Sequence, residues 1–402
     1  MKIKISKNKV FNIIGAFMLF FKQSAAFLTE NSEKALFLGG NADPFYALGV
    51  LTFFELGKYK KTLFYFFVFA VPILLFWICQ IVINPEINFI KSLFTVAKLM
   101  LCIGAMLFVI NHIKDINLLF ICKVYIIISF IFTCLALTSL HNSFLWRFND
   151  VINVYSLTRL QLFYLEPSEL GFHIALILIY LLGCFFNGNK KLLIYVLLAA
   201  FVLGCTRAMG AISISLISVF LLLFIRWMRK PTVNITIIYI ILFFVFTGIL
   251  IFLFKTQNPI LMRVLSTVSG NDSSNNYRIG LSIEVFKSSF KDYNFLGCGF
   301  GQINTEAFVS SYAHLGLTTV VVNSFLYFFI ETGLFGIMYI VILAIALLKS
   351  CMKDPLTIKW GIFLFLMIYQ LAGSHFTSPI NWMMYGFILS KSEHVNHRRV
   401  KL

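Results

Sequence analysis

The amino-acid sequence predicts an all-α polytopic membrane protein: a transmembrane helix bundle of about twelve spans, with one long outward-facing loop containing an amphipathic helix. Three observations carry that expectation. Hydrophobic residues make up 60% of the chain and charged residues 12%, with a mean hydropathy of +0.90, whereas about a quarter of the residues in soluble domains are charged. Apolar runs of roughly 20 residues recur, each long enough to cross about 30 Å of hydrocarbon at 1.5 Å per residue. They lack the alternation of a membrane barrel, and Lys and Arg gather in every second connection.

The runs fall at 10–28, 35–56, 62–83, 89–110, 116–140, 167–186, 191–206, 208–225, 234–254, 323–348, 357–373 and 376–390. The connections KIKISKNK, GKYKK, NHIKD, NGNKK, RWMRK and KSCMKD and the tail KSEHVNHRRVKL are basic and are expected on the cytoplasmic side, together with both termini. The intervening connections, including the long loop 255–322, face outward. In that loop Lys255, Arg263, Arg278, Lys287 and Lys291 nearly balance Asp272, Glu284, Asp292 and Glu306. The net charge of +17 therefore reflects sidedness rather than nucleic-acid binding. Residues 1–402 read as a single integral membrane domain, without internal repeat, GxxxG face or Pro-rich linker.

The basic start MKIKISKNK, followed by an apolar run that contains Lys22, reads as a retained signal anchor. The second run carries the breaks of a discontinuous helix at Asn41–Pro44. Lys98 and Lys123 lie inside spans, where a charge must snorkel or find a partner. The eight cysteines form no CxxC pair and read as small hydrophobes. No metal site and no cofactor are expected.

Chemistry is sought where polar groups meet the membrane. YLEPSELGFHIAL places Glu166 at a helix start, with Pro167 where a missing N–H does no harm. Glu169 and His173 share a face of that helix. Capping explains Glu166 as well as chemistry does, and a structural Glu169–His173 pair and a substrate role both stay open. GCTRAMGAISISL sets Arg207 at an outer boundary, suited either to snorkelling or to gripping the phosphates of a lipid-linked substrate.

Within the long loop a helix is expected after Ser274 or Asn275, with Ile279, Ile283, Phe286 and Phe290 on its apolar face, lying in the headgroup plane. Arg278 in its first turn opposes the helix dipole, and with the free N–H groups there it seeks an anion. Gly297, Gly299 and Gly301 in NFLGCGFGQ read as a tight turn rather than a dinucleotide fingerprint. His314 is either a loop histidine or a proton acceptor at neutral pH. In VVNSFLYFFIETGLFG, Asn323, Tyr327 and Glu331 fall on one helix face, and Glu331 needs a partner, expected to be an arginine.

EPSELG opening a middle span, TRAMGA at an outer boundary, YRIGLSIEVFKSSFKDYNFLGCGFGQ in the largest outer loop and NSFLYFFIETGLFG just after it together resemble the O-antigen polymerase and ligase superfamily of bacterial envelope glycosyltransferases. The resemblance covers about residues 140–340 at the level of motifs. It implies a metal-independent transferase using undecaprenyl-diphosphate-linked glycans at the periplasmic face of the bacterial inner membrane, with 255–322 as the periplasmic loop. The EPS-type opening favours a polymerase, for which a chain-length regulator is an implied partner besides membrane lipids. Members often carry His directly before the Asn of the last motif; here Val322 precedes Asn323. On this reading Arg207 and Arg278 hold the diphosphate, and His314 or Glu166 serves as base. Glu169, His173, Asn323 and Glu331 contact substrate. An O-antigen ligase or a capsule or exopolysaccharide polymerase shares these features. A polysaccharide flippase or other transporter would use the broken second span and the charges within spans.

Overall fold

A computed structural model describes residues 7–20, 43–138, 145–147, 158–164, 166–229, 237, 280–317, 321, 323–354, 358–371, 373 and 376–390. Six helical stretches are long and apolar enough to cross a membrane: 60–83, 89–112, 118–138, 167–186, 209–229 and 324–352. The chain is thus a multi-pass membrane helix bundle. In order the helices are α1 (Lys7–Phe20), α2 (Tyr46–Glu55), α3 (Lys60–Phe69), α4 (Val71–Ile83), α5 (Phe89–His112) and α6 (Leu118–Thr138). They continue with α7 (Pro167–Phe186), α8 (Leu193–Thr206), α9 (Met209–Arg229), α10 (Ser282–Asp292), α11 (Glu306–Ser311), α12 (Ser324–Met352), α13 (Ile358–Tyr369) and α14 (Pro379–Leu389). Strands β1 (Trp146–Arg147) and β2 (Arg159–Leu160) form a short antiparallel ribbon between α6 and α7. The expected run 234–254, residue 237 excepted, lies outside the described residues.

The bundle is organised on α5 and α7, the most deeply buried of the long helices. Small residues set the closest crossing: a Cβ on Gly49 would lie 2.3 Å from the Leu101 carbonyl oxygen, and one on Gly104 would lie 2.7 Å from the Gly49 Cα. Only glycine lets the α2 and α5 backbones come that near. A Cβ on Gly386 of α14 would likewise meet the Met106 carbonyl oxygen at 2.3 Å. At the C-terminal end of α5, His112 Nε2 lies 2.9 Å from Glu55 Oε2 at the end of α2. Both α2 and α14 thus run beside the second half of α5 and begin about halfway along it. Their starts are tied together, since Tyr46 Oη and Cys102 Sγ both donate to the Thr377 carbonyl, at 2.9 and 3.1 Å. The half of the run that precedes the break expected at Asn41–Pro44 lies outside the described residues; the described part begins at Asp43, whose carboxylate accepts from the Phe45 N–H at 3.0 Å as the chain turns into α2.

Basic side chains cap one end of the bundle. Lys359 Nζ donates to the carbonyls of Ile388 and Ser390 at 2.7 and 2.6 Å, and Lys61 Nζ reaches the Leu389 carbonyl at 3.4 Å. Cations there satisfy the exposed carbonyls and the negative end of the α14 dipole. Arg229 donates to the Asp354 carbonyl at 2.7 Å nearby. Within its span, Lys123 Nζ sits 5.1 Å from the centre of the Tyr195 ring, a cation–π contact that answers the need for a partner.

One expected span departs from a straight helix. α12 is interrupted at Gly333 (φ 58°, ψ −138°), and the chain folds back there so sharply that the rings of Phe328 and Tyr339 lie 5.9 Å apart. Eleven residues of continuous helix would separate them by about 16 Å. The segment Ser324–Thr332 therefore returns toward the bundle and starts beside Gln370, whose carbonyl accepts from the Ser324 N–H at 3.1 Å. The segment after Gly333 carries exposed Leu334, Met338, Val341, Ile342 and Ile345, the face a membrane helix turns to lipid.

Candidate functional site

Two polar assemblies form away from the basic end. The first is built on the break in α12. A helix interrupted inside a membrane protein frees carbonyls that must find donors. Cys298 and Gly299 give their N–H groups to the carbonyls of Ile330 and Glu331 at 2.9 and 3.0 Å, and Leu334 donates back to the Phe295 carbonyl at 2.9 Å. From α4, the Gln80 amide bridges the carbonyls of Leu296 and Glu331 at 3.1 and 2.9 Å. The glycines Gly297, Gly299 and Gly301 all have positive φ, and a Cβ on Gly297 would lie 2.5 Å from the Glu331 carbonyl oxygen. The turn read from NFLGCGFGQ is thus the clasp of the broken helix.

Glu331 is buried in this clasp. Its Oε1 accepts from the Gly301 N–H at 2.7 Å, while the Tyr327 hydroxyl accepts from the Asn304 amide at 2.9 Å. The expected arginine partner is absent among the described residues. A backbone amide fills that place, because the glycine turn packs directly over the carboxylate. Asn323 is equally committed: its carbonyl oxygen caps the Leu326 N–H at 3.1 Å and its amide donates to the Leu371 carbonyl at 2.7 Å. On the other side of the clasp, α10 packs against α12 through Ser282, Val285 and Ser289, with Phe286 near Phe329. Ile283 is exposed. The buried face is thus rotated from the one expected of Ile279, Ile283, Phe286 and Phe290, since the folded-back part of α12 offers a protein surface to pack on.

The small hydrophobic cluster beneath the loop includes Val285, Cys298, Phe308 and Tyr312. Burial pushes the Cys298 thiol well above its usual range. Burial, and then the Asp292 carboxylate that accepts from the Tyr312 hydroxyl at 2.8 Å, raise the Tyr312 phenol. His314 sits at the exposed edge of this cluster with Nδ1 2.9 Å from the Ser311 carbonyl.

The second assembly surrounds the start of α7. Glu166 holds the N-cap position but makes no cap hydrogen bond. Its carboxylate accepts from Ser168 Oγ at 2.8 Å and lies 3.9 Å from Arg147 on β1. Arg147 is the direct cross-strand partner of Arg159. Arg159 Nε donates to the Thr206 carbonyl at 3.4 Å, and Arg207 returns the contact by donating to the Thr158 carbonyl at 3.0 Å. Glu166 and Arg207, from different helices, are thus linked through the ribbon: Glu166 lies against Arg147 on β1, and Arg207 holds the residue before β2. Arg147 and Arg159 join them, a pair that sequence reasoning missed; the signal would have been a two-residue ribbon in the 141–166 loop. Arg207 terminates α8 in the left-handed conformation (φ 48°, ψ 30°), a place where glycine or asparagine is usual. Arg278 lies outside the described residues. No described contact links His314 to the arginine group.

His173 is buried seven residues into α7, about 10 Å by helical rise. Its Nδ1 lies 2.8 Å from the main-chain carbonyl of Glu169, so the contact of this pair seen here is to the backbone. The imidazole also stands 5.0 Å from the Tyr164 ring, and the Tyr164 hydroxyl bonds that of Tyr125 at 2.9 Å. His173 borders a cavity of about 120 Å³ between α1, α2, α5, α6, α7 and α14, with an almost wholly apolar lining that includes Met18, Leu48, Phe108, Met384 and Phe387. Groups of three or more His, Cys, Asp or Glu side chains able to hold a metal are absent among the described residues. Compared with models of known families and with curated proteins, the chain gives no match.

Proposed function

We propose that the chain is a surface-polysaccharide polymerase of the O-antigen type. In this reading it has twelve spans and cytoplasmic termini, and it joins undecaprenyl-diphosphate-linked repeat units at the periplasmic face of the bacterial inner membrane. The observation that supports this reading best is the pairing of two environments along α7. Arginines gather with Glu166 at its start, and an apolar cavity reaches His173 about two turns further on. A substrate suited to both has an anionic head and a long hydrocarbon tail.

In the proposed reaction an acceptor hydroxyl attacks the anomeric carbon of the donor sugar. The bond from that carbon to the diphosphate oxygen breaks, and the diphosphate leaves with the electron pair. A diphosphate is a good leaving group, so the step needs cations to stabilise departing charge rather than a general acid. Arg207 takes that role, with Arg278 from the long loop. The acceptor proton goes to a carboxylate or imidazole. Glu166 is exposed and beside the arginines, which favours it over His314 as the base. Of Glu169 and His173, the latter borders the cavity and the former lies one turn before it on α7, whereas Asn323 and Glu331 serve by holding the broken α12. The chain-length regulator remains an implied partner of such a polymerase.

Purified protein in detergent, given polyprenyl-diphosphate-linked repeat units and no ion gradient, is expected to produce a ladder of multimers and release polyprenyl diphosphate. Absence of any product longer than one repeat would sink the polymerase reading. Transfer of glycan to a lipid A core acceptor instead would identify a ligase. A transporter reading draws on the start of α2 halfway along α5 beside the buried Asp43. Flipping without joining, in vesicles, is the result it requires.

A further inference from the structure

We propose that Cys134 of α6 and Cys205 of α8 are a redox pair, two neighbouring thiols that close to a disulfide and lock the outer ends of these helices together. The proposal assigns a modification site to two residues that composition alone reads as small hydrophobes. It takes from the proposed function only the outward placement of this end of the bundle, and nothing from glycosyl transfer.

The register of the two helices is the first observation. α6 and α8 pack against each other. Lys123 Nζ lies 5.1 Å from the Tyr195 ring near their starts, and the rings of Phe130 and Phe201 lie 5.7 Å apart further along. Both contacts match residues about 70 positions apart, so the helices run parallel and keep one register. Residues four apart share a helix face. Cys134 is one turn beyond Phe130, and Cys205 is one turn beyond Phe201. They are the next matched pair.

The second observation is that the ribbon ties the same two helix ends together. Trp146 on β1 donates from Nε1 to the Ala136 carbonyl at 3.0 Å, two residues after Cys134. Arg159 on β2 donates to the Thr206 carbonyl at 3.4 Å, directly after Cys205. The strands pair with each other, and paired strands lie about 4.8 Å apart, so the helix ends are held close at the level of the two cysteines. The thiols are near enough to interact electrostatically. On helices whose axes lie about 8–10 Å apart, side chains at matched positions reach the roughly 4 Å between Cβ atoms that a disulfide requires.

The third observation is where the thiols sit. Both are half-buried; Cys205 is one residue from the end of α8 and Cys134 one turn from the end of α6, away from the basic end of the bundle. Disulfides persist on the oxidising side of a membrane. The oxidant is a disulfide of low-molecular-weight thiol or of a thiol–disulfide oxidoreductase. One cysteine thiolate attacks it, forming a mixed disulfide and releasing the first thiol; the second cysteine thiolate then attacks the mixed disulfide and releases the other. Two electrons and two protons pass from the pair to the donor, which ends as two thiols. The last turn of α8 leads into Arg207, so the new bond would fix the α8–α9 turn covalently, where the reduced protein relies on the hydrogen bonds of the ribbon.

The test uses the full chain in phosphatidylcholine nanodiscs, incubated with oxidised glutathione, quenched with N-ethylmaleimide and digested for mass spectrometry. A peptide pair linked through Cys134 and Cys205 is expected, and dithiothreitol should return both as alkylated thiols. Oxidation should also raise the unfolding temperature by about 5 °C, since the bond closes a loop of about 70 residues, and slow hydrogen exchange at the end of α8 about threefold or more. Cys134→Ser and Cys205→Ser should each abolish these effects, whereas Cys79→Ser, which removes an exposed thiol on α4, should leave them unchanged. Absence of the linked pair from the oxidised wild type, or linkage of either thiol to Cys79 in its place, would overturn the proposal. Alkylation of intact cells before lysis reads the side of the membrane separately. A linked pair there supports the outward placement; free thiols in cells beside ready linkage in the nanodisc keep the pair and remove that placement. A linked pair in a protein that never joins repeats leaves the pair standing while the transferase reading falls.

Discussion

At the scale of single residues, Glu166 is the side chain whose role is easiest to separate from its contribution to the fold. Its contacts are an exposed hydroxyl and a guanidinium 3.9 Å away, so Glu166→Gln should change stability by less than about 1 kcal/mol. Chain extension should nevertheless fall at least tenfold, measured as repeats joined per minute at equal folded protein. Tyr312 gives a prediction of a different kind. Its phenol is raised above the ordinary value, so the stability it contributes is fully present below about pH 10 and is lost as pH rises through the raised value. Hydrogen exchange of residues 306–317 should thus be unaffected by this group between pH 6 and 9 and accelerate in strong base. Tyr312→Phe should remove the alkaline component at a cost of about 1 kcal/mol. Glu166 and Arg207 stood out in the sequence because a helix start and a short polar turn are local signals. Arg147 and Arg159 did not, because their meeting depends on strand register, which nothing within LWRFND or LTRLQL announces by itself. That no described arginine stands beside Glu331 has the same origin: charge complementarity suggests an arginine, while the main-chain N–H of Gly301 that is found there leaves no mark in composition.

At the scale of elements, the broken α12 and its glycine clasp carry the sharpest expectations. A Cβ on Gly333 would lie 1.9 Å from the Phe295 carbonyl oxygen at a positive φ. Gly333→Ala should therefore destabilise by more than about 3 kcal/mol, seen as a lowered unfolding temperature in detergent. Gln80→Ala removes the amide that bridges the carbonyls of Leu296 and Glu331. A loss of about 1–3 kcal/mol is expected, concentrated in faster exchange around residues 295–301 and 330–334. The apolar run 323–348 was legible as membrane helix, but the fold at Gly333 was not. Hydropathy is blind to a single backbone dihedral, and the residues on both sides of the break are as apolar as a straight span requires. The start of α2 just after Asp43 and Pro44 was legible because Asp and Pro each disfavour continuing a helix there.

At the scale of the whole molecule, composition was enough to give the bundle, since burying or lipid-facing so many apolar residues leaves helices as the economical solution for the backbone. Six helices meet the length and hydropathy of a span. The runs 10–28, 35–56 and 234–254 lie partly or almost wholly outside the described residues, so the six are a count of the described helices and not of the spans. Basic caps at one end and the arginine group at the far end of α7 give the molecule a polarity along the bundle axis. The central claim is that this polarity serves glycosyl transfer from a lipid diphosphate. The most direct measurement is the reconstituted joining assay, with polyprenyl-diphosphate-linked repeats in detergent, no gradient, and wild type compared with Arg207→Gln. The account predicts a multimer ladder with stoichiometric release of polyprenyl diphosphate for the wild type and at least a tenfold slower ladder for the variant. A wild type that releases no diphosphate and joins no repeats, or a variant that joins them at the wild-type rate, would contradict it.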